Sequence, residues 1–247
     1  PAIASFLVSN FTNQGDIVLD PLCGVGTIPF EACLQGRIGI GNDLSEMAYI
    51  VTKAKLEKPN QSEVMDVIKE LNSFLKNNYD EVFLQESQKK YTDFGFNGRL
   101  HEYFHPETYK EILYARQFFL GKFPTITAAE ALAYSAFLHV LHGNRPYALS
   151  RNSHPLTPYA PKGEFIYKNV VEHIEEKINL TYRKSDFPNF VPGKAIHGDY
   201  SELSNRNLNG QVDAIVCSPP FAQSIRFYMN NWMRLWLSGW ELDDFNK

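Results

Sequence analysis

The feature that most constrains the fold is a glycine-rich turn between an apolar segment and a helical one. Residues 17–19 are Ile-Val-Leu, and the sequence DPLCGVGTIPFEA follows from Asp20. Glycines at positions 24 and 26 let the backbone turn sharply and approach a ligand without a Cβ in the way. A strand ending at Asp20, a tight loop and a helix beginning near Thr27 are typical of a nucleotide-binding crevice at the carboxyl end of a parallel strand.

A second strand and helix follow the first pair. The segment RIGIGNDLS alternates up to Asp43, and SEMAYIVTKAKLE has the spacing of a helix with Ser45 as its N-cap. This β-α-β-α order predicts a parallel sheet with a right-handed crossover. Asp43 lies about 20 residues beyond the loop, where a carboxylate can accept hydrogen bonds from both ribose hydroxyls. A glycine turn also serves plain strand-to-helix packing, so the loop alone leaves a purely structural role open.

The loop differs from those that bind phosphate groups. It lacks the later Gly-Lys-Ser/Thr of a phosphate-binding loop and the spacing of a dinucleotide-binding turn. Asp20 stands at the loop entrance, where its negative charge would repel phosphate but could hold a cationic amino group. The sequence therefore favours a ligand with an amino-acid end, and S-adenosylmethionine meets that requirement.

A second motif follows an apolar strand near the end of the chain. VDAIVCSPPF covers residues 212–221, and its two prolines lack N–H donors and fix φ. The carbonyl groups around Ser218 are therefore held outward at a strand end, beside a hydroxyl and an aromatic ring. Such a site can accept hydrogen bonds from an exocyclic amine and stack on its ring. A proline turn that only ends a strand is the alternative interpretation.

Together, DPLCGVGT, NDLS and SPPF resemble the motifs of S-adenosylmethionine-dependent amino-methyltransferases, and the serine form resembles the DNA N4-cytosine methyltransferases in particular. The resemblance covers about residues 1–58 and 195–240. It implies a Rossmann-like α/β fold with a mainly parallel sheet and a large helical insertion. A complete sheet of this family needs further strands after the helix at 224–240, so we expect carboxy-terminal strands to be missing from this chain.

The resemblance assigns two sets of site residues. The cofactor-binding residues that it implies are Asp20, Pro21, Cys23, Gly24, Gly26, Thr27, Asp43, Leu44, Asp199 and Tyr200. The catalytic residues that it implies are Ser218, Pro219, Pro220 and Phe221. Leu22 and Cys23 replace the phenylalanine often found in this loop.

Individual roles follow from the same resemblance. Asp20 and the backbone of the loop would contact the methionine part of the cofactor, and Asp43 would contact the ribose. HGDYSEL would place Asp199 near the adenine amine, although Gly-Asp before a helix is also a common cap. No metal ligand is expected, because the paired histidines of the chain have no acidic or cysteine partner to complete a site.

The implied chemistry depends on position. A sulfonium methyl group is already electrophilic, so the enzyme must supply orientation rather than a strong nucleophile or a metal. Hydrogen bonds from the amine of the base to the Ser218 hydroxyl and the Pro219 carbonyl would aim its lone pair and stabilise the developing positive charge. Phe221 would stack on the base. Such a site cannot reach a paired base, so duplex DNA would require base flipping.

The remaining sequence is mostly helical in pattern. A short amphipathic helix with apolar residues at 3, 6, 7 and 11 precedes the first strand. Apolar spacing near 3.6 predicts further helices near 61–77, 106–119, 127–142 and 164–182. We therefore predict a methyltransferase core at 1–58 and 190–247, and a helical insertion at 59–189 that is a candidate nucleic-acid recognition region.

A basic and aromatic run lies in the predicted insertion. HGNRPYALSRNSHPLTPYAP spans residues 142–161 and contains residue types that contact phosphate and stack on bases. The candidate nucleic-acid contacts are Arg145, Arg151 and His154, together with Arg226 and Arg234 in the helix that follows SPPF. A solvated connecting loop is the alternative for the run.

Composition limits the partners. The formal net charge of -4 gives no global basic field, so contact with nucleic acid must depend on local patches. No apolar run is long enough for a membrane span. Three cysteines outside any Cys-x-x-Cys pair fit a reducing, cytoplasmic setting.

We therefore expect an enzyme that methylates an exocyclic amine of a nucleic-acid base, with cytosine N4 in DNA as the first choice. An RNA methyltransferase is the second choice, because DPLCGVGTIPFEA also resembles the loop of transfer-RNA guanine-N2 methyltransferases. Those enzymes usually carry Asp-Pro-Pro-Tyr or Asn-Pro-Pro-Tyr where this chain has Ser218. A catalytically idle module that binds the cofactor or nucleic acid is the third.

Overall fold

A parallel sheet of four strands is the scaffold within the described part of the chain. This computed structural model describes residues 1–143, 145–153, 158–184, 186–206, 208, 211–219 and 226–246. The strands are β1 (Ile17–Asp20), β2 (Ile38–Asp43), β3 (Lys194–His197) and β4 (Ala214–Ile215). Their order is β3-β2-β1-β4, and every neighbouring pair is parallel. The predicted α/β fold with a parallel, Rossmann-like sheet is confirmed.

Helices α1 (Ala2–Phe11), α2 (Thr27–Leu34) and α3 (Glu46–Leu56) belong to the same part of the chain as the sheet. Helix α2 packs closely on β2, since a Cβ at Gly39 would lie only 2.0 Å from the carbonyl oxygen of Pro29. The predicted N-cap of α3 is present, because the side chain of Ser45 accepts a hydrogen bond from the backbone of Ala48. The first contact sets how closely α2 lies against β2, and the second fixes where α3 begins after that strand.

The apolar face predicted for α1 is wrong. Its buried residues are Ala4 and Val8, whereas Ile3, Phe6 and Phe11 are 77%, 60% and 70% exposed. Val8 packs in an apolar cluster with Val18 of β1 and Ala32 of α2. Small residues face the sheet because α1 lies close to it, and the larger apolar side chains point outward.

Six further helices are described: α4 (Gln61–Asn77), α5 (Glu81–Lys90), α6 (Pro106–Leu120), α7 (Ala128–Val140), α8 (Val170–Tyr182) and α9 (Arg226–Leu237). Short 3-10 segments are Leu100–Tyr103, Tyr200–Arg206 and Leu242–Asn246. The predicted helices near 61–77, 106–119 and 127–142 are confirmed, with small shifts at their ends. Helix α5 was not predicted, and the expected helix start at 164 was wrong because α8 begins at Val170.

The chain divides into two compact units. The sheet unit contains residues 1–60, 127–132 and 184–222, and the helical unit contains residues 61–126, 133–183 and 223–247. Buried aromatic side chains fill the helical unit, among them Trp232, Trp236, Tyr103, Tyr134 and Phe119. The residues after 222 group with this unit, whereas the sequence assigned 190–247 to the catalytic core. A division by compactness does not test which residues serve catalysis, so those predicted boundaries stay a prediction.

Candidate active site

The glycine loop has the geometry that the sequence predicts. Gly24 and Gly26 adopt φ values of +53° and +71°, which favour glycine, and the amide of Gly26 donates to the carbonyl of Cys23 at 2.9 Å. The amide of Cys23 donates to the carbonyl of Asn42 at 2.9 Å. Helix α2 begins at Thr27, so its amino terminus opens directly from the loop.

Asp43 closes the other side of the loop. One carboxylate oxygen accepts from the amide of Gly24 at 2.8 Å, and the other accepts from the amide of Ser45 at 2.9 Å. The carboxyl ends of β1 and β2 therefore meet at the loop, as expected for adjacent parallel strands. Each oxygen keeps a further acceptor direction, which is the requirement for binding ribose hydroxyls.

Asp20 links the loop to the proline motif. Asp20 is 2% exposed, its carboxylate accepts from the amide of Leu22 at 3.2 Å, and the neighbouring thiol of Cys217 acts to lower its pKa. Burial raises the pKa of Asp20 above its ordinary value. Strand β4 lies beside β1 with Ile215 opposite Leu19, so the exposed Ser218 follows β4 at the level of the loop.

Asn42 joins two loops at this edge of the sheet. It is 1% exposed, and its amide nitrogen donates to the carbonyl groups of Pro21 and Gly198, each at 3.0 Å. Its side-chain oxygen has no hydrogen-bond partner among the described residues. A buried acceptor without a partner costs about 1–3 kcal/mol, so a ligand donor at this point would be favourable.

Helix α3 supports the loop from its other side. The Thr52 hydroxyl donates to the carbonyl of Gly24 at 3.1 Å, and the Lys55 ammonium donates to the carbonyl of Val25 at 2.5 Å. Burial lowers the pKa of Lys55. Sequence reasoning missed Asn42, Thr52 and Lys55, because their role depends on which face of β2 or α3 meets the loop.

Exposed apolar side chains surround these polar groups. Leu44 is 66% exposed, Tyr200 59% and Val25 43%. Leu44 directly follows β2, Tyr200 begins the 3-10 segment after β3, and Val25 lies in the glycine loop, so all three are near the carboxyl ends of the strands. Leu44 and Tyr200 were predicted cofactor contacts, and their exposure leaves them accessible to a ligand.

Asp199 caps the short 3-10 segment that follows β3. Its carboxylate accepts from the hydroxyl of Ser201 at 2.7 Å and from the amide of the same residue at 2.8 Å. These two hydrogen bonds lower the pKa of Asp199. The capping interpretation of HGDYSEL is therefore present in the structure, and a role for Asp199 toward adenine stays a prediction.

Some of the other predicted site residues lie within the described residues and some do not. Pro220, Phe221 and His154 lie outside the described residues, and so does the side chain of Arg226 at the start of α9. Ser218 and Pro219 are described and exposed at the end of β4. Arg145 and Arg151 both lie in the helical unit.

The arginines of the helical unit differ in accessibility. The guanidinium of Arg151 donates to the carbonyl groups of Glu102 and Gly163 and lies 4.2 Å from the ring centroid of Phe165. Arg234 was expected to face nucleic acid, but it is part-buried and its Nε donates to the carbonyl of Leu138 at 3.2 Å. That expectation is corrected, because the guanidinium is directed into the unit.

The cysteines separate into two kinds. Burial raises the pKa of Cys23 to about 12 and that of Cys33 to about 11, while Cys217 is exposed beside Asp20. No group of histidine, cysteine or acidic side chains suited to a metal ion occurs in the described ranges. No helix in those ranges is long and apolar enough to cross a membrane.

Comparisons with known proteins match part of the chain. Residues 1–102 match the family described as UPF0020, RMKL-like, methyltransferase domain. The chain is 28% identical over 93 residues to type II methyltransferase M.MjaII of Methanocaldococcus jannaschii, which is 36% of this chain and 18% of that protein. It is 33% identical over 102 residues to type II methyltransferase M.HpaI of Haemophilus parainfluenzae, which is 32% of each chain. No solved structure matches significantly.

The matches cover only part of each relative. The chain spans 18% of the length of one curated relative and 32% of the other. The matched family region contains β1, the glycine loop, β2 and α3. The supporting residues Asn42, Thr52 and Lys55 lie in that same region.

Proposed function

The family match and the two relatives support a DNA methyltransferase family for this chain, and on that premise we propose that it transfers a methyl group to an exocyclic amine of a nucleic-acid base. The proposed donor is S-adenosylmethionine and the proposed acceptor is cytosine N4 in DNA. The observation that carries the proposal is the parallel pairing of β4 with β1, in which the amide of Val216 donates to the carbonyl of Leu19 at 3.0 Å. It joins the proline motif to the glycine loop, so a donor and an acceptor held by these two motifs would be neighbours.

The residues at the loop fit the proposed cofactor. Asp20 is a buried carboxyl group, and a cationic amino group beside it would favour its ionised form. The Asn42 oxygen is a second acceptor without a partner among the described residues. Leu44 and Tyr200 offer apolar contacts for adenine, and Asp43 offers acceptors for the ribose. When bound, S-adenosylmethionine supplies an electrophilic methyl group.

The proline motif orients the acceptor. The hydroxyl of Ser218 and the carbonyl of Pro219 accept hydrogen bonds from the amine of the base, which keeps its lone pair directed at the donor. As the nitrogen forms its new bond to carbon it becomes cationic, and these two acceptors stabilise that charge. The carbon–sulfur bond of the donor would break as the new bond forms, and the excess proton would pass from the nitrogen to solvent water, which the exposed Ser218 and Pro219 leave in reach. Phe221, named from the sequence, would stack on the base.

A methyl-transfer assay tests the proposal. The chain is mixed with labelled S-adenosylmethionine and either cytosine-containing DNA or transfer RNA, and the nucleic acid is digested to identify the methylated nucleoside. We expect N4-methylcytosine from DNA. Label recovered as N2-methylguanosine from transfer RNA would support the RNA alternative, which rests on the likeness of the glycine loop to those enzymes. Cofactor binding without transfer to either acceptor would support the idle module.

A pair of serine variants tests the roles within the site. Ser218→Ala should lower the transfer rate by about 10- to 1,000-fold, because one acceptor for the reacting amine is lost. Its affinity for the cofactor should change little when measured by calorimetry. Ser73→Ala, at an exposed position on α4 in the helical unit, is the matched control and should leave both values unchanged. Equal losses of transfer and cofactor affinity in Ser218→Ala would contradict the assigned role.

A further inference from the structure

Helix α3 holds the glycine loop at two consecutive carbonyl groups. The hydroxyl of Thr52 donates to the carbonyl of Gly24 at 3.1 Å, and the ammonium of Lys55 donates to the carbonyl of Val25 at 2.5 Å. Both donors belong to the second half of α3, which ends at Leu56. The two carbonyl groups therefore face the same helix.

These hydrogen bonds orient two peptide groups of the loop. In a trans peptide the carbonyl group and the N–H of the next residue point in opposite directions. Because the carbonyl groups of Gly24 and Val25 face α3, the amides of Val25 and Gly26 face away from it. The amide of Gly26 donates to the carbonyl of Cys23 at 2.9 Å, whereas the amide of Val25 has no hydrogen-bond partner among the described residues.

The Val25 amide is the donor that the loop leaves for a ligand. A Cβ built at Gly24 would meet no atom within 4 Å, and Val25 is 43% exposed, so there is open space beside this amide. The neighbouring amides are already used, since that of Leu22 donates to Asp20, that of Cys23 to Asn42 and that of Gly24 to Asp43. A ligand acceptor at the loop can therefore bond the Val25 amide without displacing any of these contacts.

Lys55 is partly buried without a counter-ion in the part of the chain that the structure describes. Burial lowers its pKa, and it forms no ion pair with a carboxylate among those residues. Lys53, by contrast, is paired with Glu57 at 2.7 Å. Burying an unpaired ammonium group is unfavourable, so negative charge brought to the loop by a ligand would stabilise Lys55.

We propose that Thr52 and Lys55 are positioning residues for the methionine part of the cofactor. By holding the carbonyl groups of Gly24 and Val25 on α3, they leave the Val25 amide to donate to the carboxylate of that part. The ammonium of Lys55 also adds positive charge to the loop, which favours an anionic ligand group over a neutral one. This inference rests on the proposed function, since it assumes that the ligand is S-adenosylmethionine.

The test compares two ligands on the whole chain. S-adenosylmethionine and its decarboxylated form share the sulfonium and the amino group, and they differ only in the carboxylate. Calorimetry gives the affinity for each ligand, and the ratio of the two affinities measures what the carboxylate contributes. We expect the unaltered chain to prefer S-adenosylmethionine by roughly 10- to 100-fold, because the decarboxylated form cannot make the charged hydrogen bond.

Two variants release the loop in different ways. Lys55→Met removes the ammonium and keeps a long side chain, while Thr52→Val removes the hydroxyl and keeps the shape of a fully buried side chain. Each should reduce the affinity ratio by about 3- to 30-fold, because the Val25 amide is no longer held in one direction. The change should come from weaker binding of S-adenosylmethionine, with the affinity for the decarboxylated form nearly constant.

The control separates this role from loss of charge or of folding. Lys53→Met removes another lysine from the last turn of α3, and it should leave the ratio unchanged because that ammonium is paired with Glu57 rather than with the loop. Urea unfolding is measured for every variant. A loss of stability alone would weaken the binding of both ligands together and leave the ratio as it is.

The outcomes distinguish this inference from the proposed function. An unchanged affinity ratio in both Lys55→Met and Thr52→Val would overturn the positioning role and leave the proposed function intact. Equal affinity of the unaltered chain for the two ligands would also overturn it, because the carboxylate would then contribute nothing. No binding of either ligand by the unaltered chain would refute the proposed cofactor, and this inference with it.

Discussion

Replacing Gly26 with alanine tests how closely the glycine loop packs against helix α3. The backbone at Gly26 has a φ of +71°, and a Cβ built there would lie 2.6 Å from Oγ1 and 2.9 Å from Cγ2 of Thr52. Thr52 is fully buried, and its hydroxyl donates to the carbonyl of Gly24. Its side chain therefore cannot rotate away from an added methyl group without losing that hydrogen bond.

Two effects set the magnitude. The left-handed backbone costs alanine about 1–2 kcal/mol, and overpacking a close contact costs about 1–3 kcal/mol. Gly26→Ala should therefore lower the free energy of unfolding by about 2–5 kcal/mol. Gly24→Ala is the matched control, because Gly24 has a φ of +53° but a Cβ there would meet no atom within 4 Å. It should cost only about 1–2 kcal/mol.

A double-mutant cycle isolates the steric effect. Urea unfolding is measured for Gly26→Ala alone, for Thr52→Ala alone and for the two together. Since Thr52→Ala removes the colliding atoms, the cost of Gly26→Ala in that background should fall by about 1–3 kcal/mol. The same cost in both backgrounds, or equal costs for Gly24→Ala and Gly26→Ala, would refute the packing argument.

Three further changes probe other contacts. Asn42→Ala should lower the free energy of unfolding by about 2–4 kcal/mol, because it leaves two carbonyl groups without their donor, and it should weaken cofactor binding by calorimetry. Tyr134→Phe removes a buried hydrogen bond to the carbonyl of Leu237 and should cost about 1–2 kcal/mol in urea unfolding, with cofactor binding unchanged. The pKa of His142 is lowered by burial to about 3, so the folded state favours its neutral form and loses stability as pH falls below about 6.5. His142→Leu should therefore show a smaller decrease in the urea midpoint between pH 7 and about pH 4, and an unchanged pH profile would contradict the assignment.

The sequence predicted the sheet and most helices because the spacing of apolar residues along the chain is enough to identify these elements. The apolar run at 17–19 and the alternation up to Asp43 define β1 and β2, and 3.6-residue spacing defines α4 and α6. The start of α8 was missed because residues 164–169 have helical apolar spacing but lie outside the helix. The face of α1 was missed because small residues, rather than Ile3 and Phe6, lie against the sheet.

The candidate site was predictable only in part. Asp20, Gly24 and Asp43 stand at strand ends, and parallel strands bring such ends together whatever the tertiary details. Thr52 and Lys55 lie in the middle of an ordinary amphipathic helix, and only the packing of α3 against the loop gives them a role. The sequence could not predict that Asp20 and Cys217 are neighbours. Their proximity follows from the strand order, in which β4 pairs with β1 and not with β3.

The distribution of the three thiols provides a natural chemical label. The pKa values of all three thiols are raised, but Cys23 and Cys33 are buried whereas Cys217 is exposed, so thiol alkylating reagents reach Cys217 first. A maleimide dye would therefore attach at Cys217, next to Asp20, without any engineered cysteine. Changes in the dye's emission would report events at the glycine loop in real time, and mass spectrometry of alkylated peptides would show whether added S-adenosylmethionine protects that thiol.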